Sequence, residues 1–200
     1  MKKSVLLALM TAATATTIHS QEQADSVWLE FYHHDDMYAE RLAQFQGIYS
    51  LSFRLINEGG PKSYDLYAVK VSPDTTVESK ISMLPITLQT DTVEVNMFAQ
   101  AVDSASAKLA ITPFSGILEI HQPTSQCLLI EALPKGAFAP GEEIPLAGYS
   151  TGRRFKVEID GNVYDAYQIC DVRQSGISVA DWGREFDLPP YTYFTLKPKE

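Results

Sequence analysis

The chain is built from short runs that alternate apolar and polar side chains, separated by residues that favour turns. Tyr49, Leu51, Phe53 and Leu55 alternate with Ser50, Ser52 and Arg54. That is the period-two pattern of a strand with one buried face. Asn57-Glu58-Gly59-Gly60-Pro61 then ends it. Residues 64–71 form the next run, with Leu66 and Ala68 on one face and Tyr67, Val69 and Val71 on the other. Ser72-Pro73-Asp74 is a turn, and Val93, Val95, Met97 and Ala99 alternate again. Residues 109–111 and 117–120 are short strands flanking Pro113-Phe114-Ser115-Gly116. The clearest hairpin joins 155–159 to 163–169 across Asp160-Gly161-Asn162, because Asp and Gly both tolerate positive φ. Residues 191–196 make a last, aromatic-rich strand.

Helical periodicity occurs twice. Asp35 or Asp36 can cap a helix running to about Gln46, with Tyr38, Leu42 and Phe45 on one stripe. A shorter helix is expected over 178–186, weakened by Gly183. Eleven glycines and eleven prolines, mostly between the strand runs, favour a sandwich or barrel-like sheet over a helical bundle. The stretch 134–152, rich in Pro and Gly, reads as the longest irregular segment: a surface excursion or a hinge.

Residues 1–20 have the form of an export signal. Lys2 and Lys3 precede an apolar run over 5–15 that is too short to span a bilayer, and a small, polar exit follows. The expected cleavage bond follows Ser20, with the bond after Ala15 as the alternative. No Cys near the exit can take a lipid anchor, and no second apolar run reaches membrane-spanning length. The net charge is −9, and loss of Lys2 and Lys3 would make it −11. A surface of that sign repels phosphate backbones and anionic lipid, which argues against nucleic-acid or membrane-surface partners. In an exported chain the two cysteines, Cys127 and Cys170, invite a disulfide. It would close a loop of about 43 residues and add ~3–4 kcal/mol. The competing reading is two buried free thiols.

Three constellations deserve weighing for chemistry. Gly148-Tyr149-Ser150-Thr151-Gly152 matches the G-x-S-x-G of a nucleophile elbow. That motif needs a strand before the serine, a helix after it, and a later histidine. All four histidines, at 19, 33, 34 and 121, precede Ser150, and the residues after it read as strand. His33-His34-Asp35-Asp36 contains metal-ligand types, but in extended backbone only two converge on one face, and a zinc site needs three. A strand end running into a helix cap is the simpler account. Residues 160–165 lack calcium-loop spacing and read as the hairpin turn.

Aromatic residues are numerous. Tyr164 and Tyr167 fall on opposite faces of one strand, as do Tyr193 and Phe194, so one of each pair is expected to face out and offer a binding surface. Asp25-Ser26-Val27, Asp74-Thr75-Thr76, Asp91-Thr92-Val93 and Asp103-Ser104-Ala105 share one pattern: Asp, a hydroxyl residue, then a small or aliphatic one. The pattern resembles the acceptor motif of an O-glycosylation system found in some exported proteins of Gram-negative anaerobic bacteria. The resemblance makes Ser26, Thr75, Thr92 and Ser104 candidate acceptors. The alternative is that Asp-Ser and Asp-Thr simply make good turns.

The sequence therefore predicts a leader over 1–20 and one β-rich domain over 21–200, with a subdivision near 122–126 or within 134–152 as the alternative. The expected fold is an antiparallel β-sandwich with one or two short helices. The expected function is a non-catalytic binding or interaction module of the bacterial periplasm or cell surface, with a protein or glycan partner. No catalytic, cofactor or metal-binding residue is assigned, and no cofactor is expected. A small secreted hydrolase assembled from distant residues is the second reading, and a structural component of an envelope complex the third.

Overall fold

The computed structural model describes residues 26–32, 37–59, 62–88, 92–132, 137–139 and 141–199. The fold is mainly β, and among the described residues every strand pairs antiparallel and there are three short α-helices. The first sheet has the order β1 (Ser26–Tyr32), β2 (Ile48–Glu58), β6 (Thr92–Ala101), β7 (Ser106–Thr112), β8 (Ile117–His121). The second runs β4 (Thr75–Lys80), β3 (Lys62–Ser72), β13 (Tyr191–Pro198), β10 (Ile144–Ser150), β9 (Leu128–Glu131). The short β5 (Ile86–Leu88) also pairs with β3.

Alternation in sequence becomes the sandwich core. Leu51, Phe53 and Leu55 of β2, Val95 and Met97 of β6, and Leu109 and Ile111 of β7 turn inward from the first sheet. Tyr64 and Leu66 of β3, Ile144 and Leu146 of β10, and Phe194 and Leu196 of β13 meet them from the second. Each large apolar side chain so buried contributes about 1.5–3 kcal/mol.

The second sheet is covered on its outer face as well. Here Val69, Ile130, Val172, Val179, Trp182, Leu188, Tyr191 and Tyr193 form a separate apolar cluster. It lies under α2 (Ile169–Arg173), a 3₁₀ turn (Val179–Asp181) and α3 (Trp182–Phe186). The expected helix over 178–186 is thus a 3₁₀ turn leading into α3. Ser178 starts it, its hydroxyl accepting from Ala180 N. The two-sided cover corrects one expectation. Tyr193 and Phe194 face opposite ways, yet both are buried.

Strand β10 corrects another, because it lies inside the segment read as irregular. Pro145 sits at a bulge where the register with β13 shifts, a position where a missing N–H costs little. Gly148 is needed because Trp182 rests on it: a Cβ there would come within 2.7 Å of the Trp182 ring. The indole N–H donates to Ile177 O at 3.1 Å, and Tyr191 Oη donates to Val179 O at 2.6 Å. Residues 122–126 carry the chain from the first sheet to the second.

Two elements stand apart from the core. The helix α1 (Met37–Phe45) has the predicted span, but its stripe is not a core face. Tyr38 and Phe45 are 80% and 90% exposed, and no residue of the helix is buried. The predicted hairpin is β11 (Arg153–Ile159) with β12 (Asn162–Gln168). Asp160 and Gly161 both take positive φ, as the tight turn requires. The strand ends at Gln168, earlier than expected, because Ile169 and Cys170 begin α2. Among the described residues β11 and β12 pair only with each other, making a two-stranded arm.

Candidate functional site

The residues singled out for catalysis do not assemble. Ser150 is fully buried at the end of β10, and its Oγ has no hydrogen-bond partner among the described residues. The segment after it runs on into β11, without the helix an elbow requires. Gly152 has a packing reason: a Cβ there would meet the Gln168 and Ile169 backbone at 2.5–2.7 Å. His121 lies exposed at the end of β8, where its carbonyl accepts from Lys70 Nζ at 2.7 Å. His33, His34, Asp35 and Asp36 lie outside the described residues. Among those described, no three His, Cys, Asp or Glu side chains group as metal ligands. No described helix is long and apolar enough to cross a membrane.

The two cysteines are free thiols. Cys127 is buried at the foot of β9, and Cys170 is exposed on α2, so they occupy different environments and the disulfide expectation is not met. Burial pushes the Cys127 thiol up to about 11, offset in part by a hydrogen bond from Gln122. That glutamine is the centre of a buried polar knot. Its Nε2 donates to Tyr149 O at 3.0 Å, and its Oε1 accepts from Thr192 Oγ1 at 2.6 Å.

Of the candidate acceptors, Thr75, Thr92 and Ser104 are exposed and Ser26 is half-buried. Asp103 accepts from Ala105 N at 2.8 Å, the turn-making role the simpler reading gives it. That bond holds its carboxyl below the usual range. Asp25 and Asp91 lie outside the described residues.

Two concavities are lined by described residues. The smaller, about 460 Å³, is lined by Phe138, Pro145, Val179 and Tyr193 with Glu142 and Glu143. Its carboxylates are engaged: Glu142 accepts from Ala139 N at 2.8 Å, and Glu143 lies 3.5 Å from Lys197 Nζ. The larger is a groove of about 970 Å³, where an edge of the second sheet faces an edge of the first. One wall is the 81–88 segment through β5, and the other is the β7–β8 turn. Val93 lies between them, and no lining residue is ionisable.

Each wall is held by a serine that completes the backbone pairing where a strand ends. Ser82 Oγ accepts from Leu66 N at 3.0 Å, while Ile81 N donates to Leu66 O at 2.9 Å. Across the groove, Ser115 Oγ accepts from Ile111 N at 3.2 Å, and Ser115 N donates to Ile111 O at 2.7 Å. The Thr112–Pro113 peptide in this turn is cis. These fixed loops leave apolar side chains in solvent: Met83 is 98% exposed and Ile117 76%. Among the described residues β8 pairs only with β7, so one side of it is an open sheet edge beside the groove. The sequence reading missed this site. A trace of it exists in Met83-Leu84-Pro85, an apolar triplet with no alternation, set beside a wholly exposed strand.

The chain matches no protein-family model, and comparison with curated proteins and with solved structures gives no match either.

Proposed function

We propose that this chain is an exported, non-catalytic binding module that takes an extended, apolar segment of a protein partner into the groove between β5 and β8. The observation carrying this reading is a lining of aliphatic and aromatic side chains without one titratable group. Acid–base or nucleophilic chemistry needs such groups converging on a reacting atom. An apolar strand needs only contact area and a backbone to pair with, and the open edge of β8 offers the backbone. Two hydroxyls, of Thr87 and Ser115, are the polar side chains in the lining. A sugar ring asks for more hydrogen-bonding groups than these, so the reading favours a protein partner over a glycan. The signal-like pattern of the sequence over residues 1–20 favours export, with the periplasm or cell surface as the place of action. The same groove and edge suit a structural part in an envelope assembly, since both are features by which one chain takes a strand from another.

A displayed library of short peptides, selected on the full chain, tests the reading. Peptides with alternating apolar residues should be enriched, and the substitution Ile117→Lys should weaken their binding at least tenfold. Peptides that bind Ile117→Lys and the parent equally, or a selection that enriches nothing, would overturn it.

A further inference from the structure

Among the described residues, the β11–β12 arm is a second unusual surface. An isolated two-stranded hairpin is marginal in water and gains its stability by packing one face on something. Here the register sorts the side chains by face. Phe155, Val157, Ile159, Tyr164 and Ala166 share one face, with Arg153 and Gln168 at its base and Asn162 at the turn, and Phe155, Ile159 and Tyr164 are exposed on it. The opposite face carries Arg154, Lys156, Glu158 and Asp165 together with Val163 and Tyr167, and Arg154 pairs with Asp165 through bonds of 3.0 and 2.6 Å. The larger apolar side chains thus concentrate on one face, and among the described residues that face stays largely uncovered.

We infer that this face docks in the β5–β8 groove of a second copy of the same chain, so that copies join head to tail. This rests on the groove reading above and names its occupant. Charge supports the choice. The arm balances three basic residues with three acidic ones, on a chain whose net charge is −9. A neutral arm entering an uncharged groove is a contact that self-repulsion opposes least. Position makes the contact one between copies. The arm leaves the second sheet beyond the pairs Tyr149↔Thr192 and Ser150↔Leu128, whereas the groove lies at the end marked by Ile144↔Leu196 and Lys62↔Leu88. Its base is also fixed. Gly152 lies against the Gln168–Ile169 backbone, and Arg153 is 3.5 Å from Asp171, so the arm does not swing back to its own groove.

Arm and groove are different surfaces, so the contact is heterologous and leaves a free arm and a free groove at the chain ends. A seven-residue hairpin is about 23 Å long, and burying one face covers on the order of 500 Å² over both partners. That is well below the ~1,200 Å² of a stable specific pair, so association is weak and depends on concentration.

Site-directed crosslinking tests this. In a Cys170→Ser background, M83C and I159C are placed in separate full-length chains, mixed at high concentration and treated with a short bismaleimide. Exposed Val77 on β4 supplies the control pair, V77C with I159C. The mixed M83C–I159C dimer is expected at least fivefold above the control, and Tyr164→Lys on the I159C chain should return it to the control yield. A single chain carrying both cysteines should give a ladder of oligomers. A yield no higher than the control, or a closed dimer without a ladder, would overturn the inference. If the selected peptides still bind the groove when crosslinking fails, the groove reading stands and the self-association alone falls. If both fail, both fall.

Discussion

Gly148→Ala is the sharpest test of how the outer layer is packed. The added methyl would sit 2.7 Å from Trp182 Cζ3 and 3.4 Å from both Trp182 Cε3 and Val179 Cγ2. Real Cβ atoms do not approach carbon at 2.7 Å, so the indole must move. It is not free to do so, because it is buried, its N–H is bonded to Ile177 O, and its ring lies 6.4 Å from that of Tyr191. Overpacking of this kind costs about 1–3 kcal/mol. A cost of about 2 kcal/mol lowers Tm by about 4–8 °C in a chain of this size. The cost should disappear when the ring is trimmed. Phe at position 182 vacates the outer part of the indole, so Gly148→Ala in a W182F background should cost under about 0.5 kcal/mol. The double-mutant cycle then returns a coupling of about 1.5 kcal/mol. Urea unfolding of the four proteins, followed by circular dichroism, measures all the terms. A Gly148→Ala protein within about 0.3 kcal/mol of the parent, or the same loss in both backgrounds, would refute the packing of Trp182 on β10.

Two further predictions concern buried polar groups. Burial raises Cys127 from its ordinary 9 to about 11, and Tyr149 and Tyr191 from 10 to about 12. A group whose pKa rises on folding contributes stability that is whole below its unfolded value and is lost as pH climbs through the folded one. Stability should therefore hold to about pH 9 and then fall, each group removing about 1.4 kcal/mol per pH unit between its two values. Urea melts at pH 8, 9.5 and 11 measure this; Cys127→Ala should flatten the earliest part of the fall, and equal stability at pH 8 and 11 would contradict it. The second prediction compares two threonines of β13. Thr195 Oγ1 is buried without a partner among the described residues, whereas Thr192 Oγ1 donates to Gln122. Thr195→Val should stabilise by about 1 kcal/mol and Thr192→Val should cost about 1–2 kcal/mol. Shifts of the same sign in their melting curves would contradict the hydrogen-bond assignment.

Much of the sandwich is legible in the sequence, because one buried face per strand leaves a period-two trace. Leu51, Phe53 and Leu55 of β2 and the two-faced pattern of β3 illustrate this. The arm is legible because Asp160-Gly161 meets a local backbone requirement. What escapes is set by contacts between segments far apart in sequence. Pro145 and Gly148 look like breakers until the bulge and Trp182 are seen. Tyr38, Leu42 and Phe45 show that a helical stripe reports amphipathicity, not what lies against it. The groove escapes for the same reason. Its two walls, about 30 residues apart in sequence, face each other only because one sheet edge lies beside the other. The catalytic reading of Gly148–Gly152 fails in the sequence on motif context, and the burial of Ser150 gives the physical counterpart.

The claim on which the functional account turns is that the β5–β8 groove is where a partner binds. Methyl-labelled NMR of the full chain, titrated with a peptide enriched by selection, measures this most directly. The account predicts shifts concentrated at Met83, Leu84, Ile86, Ile117 and Leu118, with the core methyls of Leu55 and Leu109 unmoved. Shifts centred on the α1 stripe or on the cavity beside Tyr193, with the groove methyls silent, would contradict it.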